Sequence, residues 1–339
     1  MFRRFCKPGV MTVARAELAD AIAGTTFPAG GPDDVASSKV LFSDSDDEPP
    51  SHAKNIRMRQ IGPEDMSAVA DVLHHGFPNK SRGYFVEALY RLSVREPPKG
   101  TPQFGFLLEA RTKVVGALLT IFSFSDGGEH PPVRCNVACW HVLPQFRVYA
   151  SLLVLQVGRN PSVTYTNISA ASGTWQTIEA QGFRRFSTGA FAGVPALSPR
   201  CHHVKVSGIS LSTEGMGALA PHELKILRDH EQFGCTSLVC VSAEGVHPFV
   251  FRRRRVSRFP LPCAQLIYCR DLKDLSRFAG PIGRFLAMRG MTWMLVATSL
   301  PIEKMVGKYF QDRLPMYFKG PACPATGDLA YTEAALFGF

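Results

Sequence analysis

The stretch Val133–Ser151 reads VRCNVACWHVLPQFRVYAS, and it decides how the rest of the chain is read. Val133–Val142 is a mostly apolar, β-prone run of strand length, so it predicts a buried strand. Pro144 cannot continue a ladder and closes that strand. From about Phe146 to Val157 the apolar residues recur at helical spacing, which predicts a helix. A strand that turns directly into a helix aims backbone N–H groups and the positive end of the helix dipole at one point, and such points hold anions. Arg147 adds a cation there. Phosphate-holding turns usually carry glycine, whereas this one has Val148, Tyr149 and Ala150. Two readings stand: a phosphate site, or a solvated surface arginine at a helix start.

The whole chain sets the limits. It has 339 residues, which as a prior suggests two domains of ordinary size. With 45% hydrophobic and 19% charged residues, the bulk of it can build a core. Apolar runs such as Val114–Phe122 are too short to span a bilayer. The net charge is +10, and six Lys/Arg against eight Asp/Glu leave the first 55 residues at −2 and the rest at +12. That excess favours anionic partners without choosing among a phosphorylated cofactor, nucleic acid and acidic lipid. Nine scattered cysteines, several inside apolar runs, predict buried thiols in a reducing cytoplasm. Cys135, Cys139 and His141 share parity, so on a regular strand they would face one side. We read them as core-facing small residues rather than a metal site, because no fourth ligand is apparent.

Along the chain, residues 1–55 predict a disordered tail, with Ala/Gly/Pro clusters and the acidic run Ser43–Pro50 (SDSDDEPP). A strand is expected at Ile56, followed by helices over Gly62–Phe77 and Ser81–Val94. A hairpin follows (FGFLLEA, VVGALLTIFSF), then the quoted strand and helix, a strand at Val163–Ile168, a short helix at Ser172–Ala180, and GFRRF. The second half repeats this order faintly: a helix at Pro221–Phe233, the hairpin LVCVSAEGVHPFVFRRRRV, the strand CAQLIYCRD, a helix at Leu272–Met288, and the strand MTWMLVATSLP. Repetition at this length suggests duplication.

This order, with EARTKVVGA, HVLPQFR, TNISA and EAQGFRRF in place, resembles the GNAT superfamily of coenzyme-A-dependent acyltransferases over roughly residues 56–187. The resemblance implies an α/β fold with a mixed, mostly antiparallel sheet flanked by helices. We expect it to be duplicated: a tail over 1–55, a GNAT-like domain over 56–195, a linker near 196–208, and a second, degenerate unit over 209–339.

In that family the cofactor pyrophosphate sits on the turn after the central strand, with the pattern R/Q-x-x-G-x-G/A. Starting the pattern at Arg147 puts Ala150 and Leu152 at the small positions; starting at Gln145 puts Val148 and Ala150 there. We prefer the first register, because it keeps the preceding Pro-x-aromatic-Arg. The resemblance therefore implies that Val142, Leu143, Arg147, Val148, Tyr149, Ala150, Ser151 and Leu152 hold acetyl-coenzyme A or a longer acyl-coenzyme A, with Asn167 and Ser169 after the next strand contacting the acyl arm or the acceptor. The family's usual tyrosine acid is missing between Thr166 and Phe186, where Trp175 stands, and the central strand carries no carboxylate. His141 is the titratable base on that strand and Tyr165 the nearest phenol, so these two are the catalytic candidates. His141 also has a plain reading as a half-buried histidine with a structural hydrogen bond.

The turn CRDLKDLSRF in the second half has no glycine and mixed charge, so that unit is not expected to bind coenzyme A. Arg252–Arg255 on a strand would point alternately to opposite faces, either toward an anion or as charge guarding an exposed edge. The expected function is transfer of an acyl group to an amine or hydroxyl acceptor. The rival is a non-catalytic binding or scaffold protein that keeps the fold. Nucleic-acid binding is a third reading, with no named motif behind it.

Overall fold

A computed structural model describes residues 56–125, 131–199, 201, 203–210, 216–255 and 262–338. The expected tail over residues 1–55 lies outside these. The described residues form twelve strands and seven α-helices, and they divide into two compact units.

The first unit opens with β1 (Ile56–Gln60), α1 (Met66–Gly76) and α2 (Arg82–Ser93). The Ser81 side chain caps α2 by accepting the Tyr84 amide at 3.2 Å, an amide shared with the Ser81 carbonyl at 3.1 Å. β2 (Gly105–Ala110) and β3 (Lys113–Phe124) form the hairpin, and β4 (Val133–Val142) is the quoted strand. A 3-10 turn over Pro144–Tyr149 leads into α3 (Ala150–Val157). β5 (Thr164–Asn167) and α4 (Trp175–Ala180) follow. Pairing is antiparallel from β1 through β4 and parallel between β4 and β5. Leu153, Val154 and Val157 of α3 pack with Phe106, Leu108 and Leu118 on one face of the sheet. α1 packs on β3 and β4, where the alternate residues point to the other face.

β6 (Arg184–Gly193) runs from the first unit into the second. The second unit continues with β7 (Lys205–Gly208), α5 (Pro221–Gln232), β8 (Thr236–Ser242), β9 (Gly245–Arg254), β10 (Cys263–Cys269), α6 (Leu272–Ala287) and β11 (Trp293–Thr298). Its pairings repeat the pattern of the first: antiparallel β7–β8–β9–β10, then parallel β10–β11. α6 buries Leu275, Phe278, Ile282 and Leu286 at helical spacing. It lies close against residues 195–199, so that a Cβ added at Gly283 would come within 2.1 Å of the Ala196 amide nitrogen.

β12 (Gly307–Lys319) runs back into the first unit, where Tyr317, Phe318 and Lys319 pair antiparallel with Asn167, Thr166 and Tyr165 of β5. Likewise Gly189–Gly193 of β6 pair antiparallel with β11. The strand that follows each repeat thus pairs with the other repeat's last parallel strand. This corrects the expected boundaries of 56–195 and 209–339. Residues 316–324 and 331–339 belong to the first unit, because β12 is paired there. They include the short helix α7 (Glu333–Leu336).

Two further expectations change. The linker near 196–208 contains β7, paired to β8 from Lys205↔Val241 to Gly208↔Leu238. The arginines Arg252–Arg254 of β9 pair with β10 alone, since β8 reaches only to Phe251, yet two of them are bonded within the unit rather than left as free surface charge. Arg252 donates to the Phe233 carbonyl at 2.6 Å and Arg254 to Gln265 Oε1 at 3.4 Å, so these two cations are used within the unit.

Candidate functional site

β4 and β5 pair at only three positions, Arg134↔Thr164, Cys135↔Tyr165 and Asn136↔Thr166, and then part. The cause lies in β4. Ala117 pairs with His141 and Leu119 with Ala138, so three steps along β4 match two along β3. The extra residue makes a β-bulge, and Cys139 takes left-handed backbone (φ 50°) there. The bulge also reverses the side-chain alternation. Before it, Cys135 and Val137 face the α3 side; after it, Trp140 and Val142 do. This corrects the expected shared face of Cys135, Cys139 and His141. His141 turns to the opposite side, against the end of α1.

Where the strands part, a pocket of about 100 Å³ opens. Phe77, Lys80, Tyr84 and Phe85 line it from the α1–α2 side, and Thr174 and Ile178 from the α4 side. Between them lie Val137–Trp140 of β4 and Asn167, Ser169 and Ala170 at and beyond the end of β5. It is therefore lined from both faces of the sheet. Asn167 Oδ1 accepts the Ser169 amide at 3.3 Å and shapes the loop that carries Ser169.

Behind the pocket lies a polar group the sequence reading missed. Glu333, the first residue of α7, is fully buried. Ser169 Oγ donates to Glu333 Oε1 at 2.7 Å, and the Asn136 amide donates to Oε2. Thr166 Oγ1 donates to Asn136 Oδ1 at 3.3 Å and so fixes which way that amide points. Burial pushes the Glu333 carboxyl up to about 7, against the pull of Ser169, of its own backbone amide and of Asn136. The signals for this group were a lone acid inside the apolar run LAYTEAALFGF and a lone asparagine inside VRCNVAC. Neither sequence says that the two meet.

The predicted site residues fall in different places. Tyr165 is 3% exposed and packs in the α3-side core, its hydroxyl donating to the Asn160 carbonyl at 3.3 Å; burial raises its phenol to about 12. His141 lies beside the gap with its ring 5.7 Å from His75, and its Nε2 is buried without a hydrogen-bond partner among the described residues. Burial, then His75 and Arg147, lower its imidazole to about 4, so it is neutral at physiological pH. Gly76 makes room for this ring, since a Cβ there would come within 2.1 Å of it.

Arg147 is exposed, and its guanidinium has no hydrogen bond or ion pair among the described residues. It sits in the 3-10 turn, not in the α-helix, which begins at Ala150. The Phe146 and Ala150 amides donate to the Leu143 and Arg147 carbonyls. The amides of Ser151 and Leu152 lie in the first α-helical turn, where no α-helical partner exists. Val148 is 80% exposed and Leu152 42%, while Val142 is buried in the core and Leu143 and Tyr149 are partly buried against it.

The corresponding turn of the second unit differs. Asp271 caps α6, its carboxylate accepting the Lys273 amide at 2.9 Å, so an acid already occupies that helix start. The pocket beside it holds about 900 Å³ and includes Lys273, Arg277 and Lys304.

No protein-family model matches the sequence, and no curated protein matches it. The structure does have relatives. A GCN5-related N-acetyltransferase from Anabaena variabilis superposes with a TM-score of 0.50 at 11% identity, covering 78% of this chain and 72% of that one. The GCN5-related glucosamine N-acetyltransferase region of a fungal multi-domain GH3 β-N-acetylglucosaminidase gives a TM-score of 0.50 at 13% identity, covering 78% of this chain and 38% of that one.

The chain has the GNAT fold.

The matched share exceeds what either unit holds alone, so the likeness extends over both. The parted strands and the turn after β4 both lie in the first unit. Among the described residues no cluster of His, Cys, Asp and Glu could hold a metal ion, and no helix is long and apolar enough to cross a membrane.

Proposed function

We propose that the first unit transfers an acyl group from acetyl-coenzyme A or a longer acyl-coenzyme A to an amine or hydroxyl acceptor, in the cytoplasm. The observation that carries this reading is the gap between β4 and β5, lined from both faces of the sheet. Parted strands leave backbone N–H and C=O groups without ladder partners. An extended arm containing amides, such as the pantetheine arm of coenzyme A, can pair with them as an added strand would. The acceptor would then approach from the opposite face, past Phe77 and Tyr84. Arg147 and the Ser151 and Leu152 amides would hold the pyrophosphate at the start of α3, since an amide donor does not depend on its side chain. The thiols of Cys135, Cys240, Cys263 and Cys269 are buried and free, which fits a reducing compartment.

A neutral His141 is a weak base, and Tyr165 faces the core, so neither supplies the proton chemistry by itself. The rival reading, a binding protein on a GNAT scaffold, draws on Val148 and Leu152, whose side chains stand where the family carries small residues. A thermal-shift titration with acetyl-coenzyme A and palmitoyl-coenzyme A separates the two. A ligand at a hundred times its Kd stabilises by about 2.7 kcal/mol, a shift of several degrees. No shift with either ligand favours the binding protein.

A further inference from the structure

We infer that Glu333, delivered to the first unit by the C-terminal segment, is the proton acceptor of the acyl transfer and takes the acceptor's proton through the Ser169 hydroxyl. The inference rests on the acyltransferase reading above.

The geometry supports it link by link. Ser169 lines the pocket and donates its hydroxyl hydrogen to Glu333 Oε1 at 2.7 Å. A hydroxyl can pass its own hydrogen on while accepting another, so this pair forms a one-step relay out of the pocket. The other carboxylate oxygen is held by Asn136, which Thr166 in turn orients. A glutamine in place of Glu333 would avoid burying a charge, its oxygen accepting from Asn136 and its NH2 donating to the Ser169 hydroxyl, which can turn to accept. What the carboxyl adds is the ability to take up a proton. The neighbouring groups leave it that role. On β4, the Cys139 thiol is pushed far up by burial and stays protonated. Lys80, in the pocket wall, lies within electrostatic reach of Cys139. On α2, Arg91 donates to the Leu336 carbonyl at 2.6 Å and Arg95 lies over the Tyr331 ring at 5.4 Å, so both cations hold the C-terminal segment.

For an amine acceptor the step balances as follows. The ammonium gives one proton to Ser169 as Ser169 gives its own to Glu333. The free amine attacks the thioester carbonyl, a C–N bond forms and the C–S bond breaks. The nitrogen's second proton goes to the departing thiolate, giving amide and free thiol. Glu333 then returns its proton to solvent. Ser169 touches the acceptor and is the catalytic residue; Glu333 acts through it.

The test uses the full chain with acetyl-coenzyme A and three primary amines, 2-phenylethylamine, glucosamine and free lysine, read as thiol release between pH 5 and 9. Wild type should lose kcat on an acidic limb centred near pH 7. Glu333→Gln and Ser169→Ala should each lower kcat by about 10²-fold or more, and Glu333→Gln should abolish the limb, while both keep the wild-type thermal shift with coenzyme A. Infrared difference spectra on ¹³C-glutamate-labelled protein report the carboxyl directly, and Ser169→Ala serves if Glu333→Gln does not fold. A protonated carboxyl band that disappears from pH 6 to 8 in wild type, and is missing in Glu333→Gln, is the expected result. Wild-type kcat and pH profile in Glu333→Gln, or no such band in wild type, overturns the role of Glu333 while leaving the acyltransferase reading in place. Failure of the wild type to bind either acetyl- or palmitoyl-coenzyme A overturns both.

Discussion

Ser169 and Glu333 stand 164 residues apart in the chain and share a 2.7 Å hydrogen bond behind the pocket. Burying a carboxyl there has a thermodynamic signature. Its folded value, about 7, lies above its unfolded value near 4.3. The folded state therefore binds the proton more tightly, and Glu333 favours folding at low pH. That contribution is lost as pH rises from about 4 through 7. Glu333→Gln should raise Tm relative to wild type at pH 8 and leave the difference small at pH 4. Equal shifts at both values would show that the carboxyl does not titrate in this window.

Asp65 has the opposite sign. The Arg59 guanidinium and the Gly62 amide, which donate to its carboxylate at 2.8 Å, hold it below the usual carboxylate range despite burial. Its stabilising contribution is present above the unfolded value of about 3.9 and is lost as pH falls through the folded one. Asp65→Asn should cost about 1–3 kcal/mol at pH 7 and much less near pH 3. Urea unfolding at the two pH values measures both.

Arg147→Ala should leave the melting temperature of the free protein within about 0.5 kcal/mol of wild type, as expected for an exposed side chain without partners. If the turn binds pyrophosphate, the same change weakens the coenzyme A affinity by roughly tenfold, the loss of one charge-assisted hydrogen bond. Calorimetry reads the affinity. Unchanged affinity would leave Arg147 a solvated surface residue.

Gly76→Ala places a methyl group in the space of the His141 ring. Overpacking of this kind costs about 1–3 kcal/mol. The double variant Gly76→Ala/His141→Ala should recover most of it, which a double-mutant cycle by chemical denaturation would show. Additive costs would mean that the ring has room to move.

Much of the fold was legible because its signals are local. Pro63 and Ser81 mark helix starts, Glu244-Gly245 marks a hairpin, and the strand–turn–helix of Val133–Val157 is carried by periodicity and a proline. The bulge at Cys139 had no such mark. It places a non-glycine residue in left-handed backbone, and nothing in ACWHV requires that. Parity arguments past this point therefore put His141 on the wrong face. β12 and α7 went unread for a related reason. β12 mixes polar and apolar residues without a clear alternation, and its buried last part becomes a strand of the first unit through pairing with β5.

The sequence by itself determined most of the order of elements, the duplication and the place of the strand-to-helix turn at Arg147, because each depends on residues within about one helix or hairpin of one another. Tertiary structure alone decided where the sheet opens and which carboxyl stands behind the opening. The first follows from one extra residue in β4 relative to β3. The second follows from strand exchange, which brings Glu333 to Asn136 and Ser169. Contacts across some two hundred residues leave no local pattern; they exist because a buried carboxyl must find donors and only the folded chain supplies them.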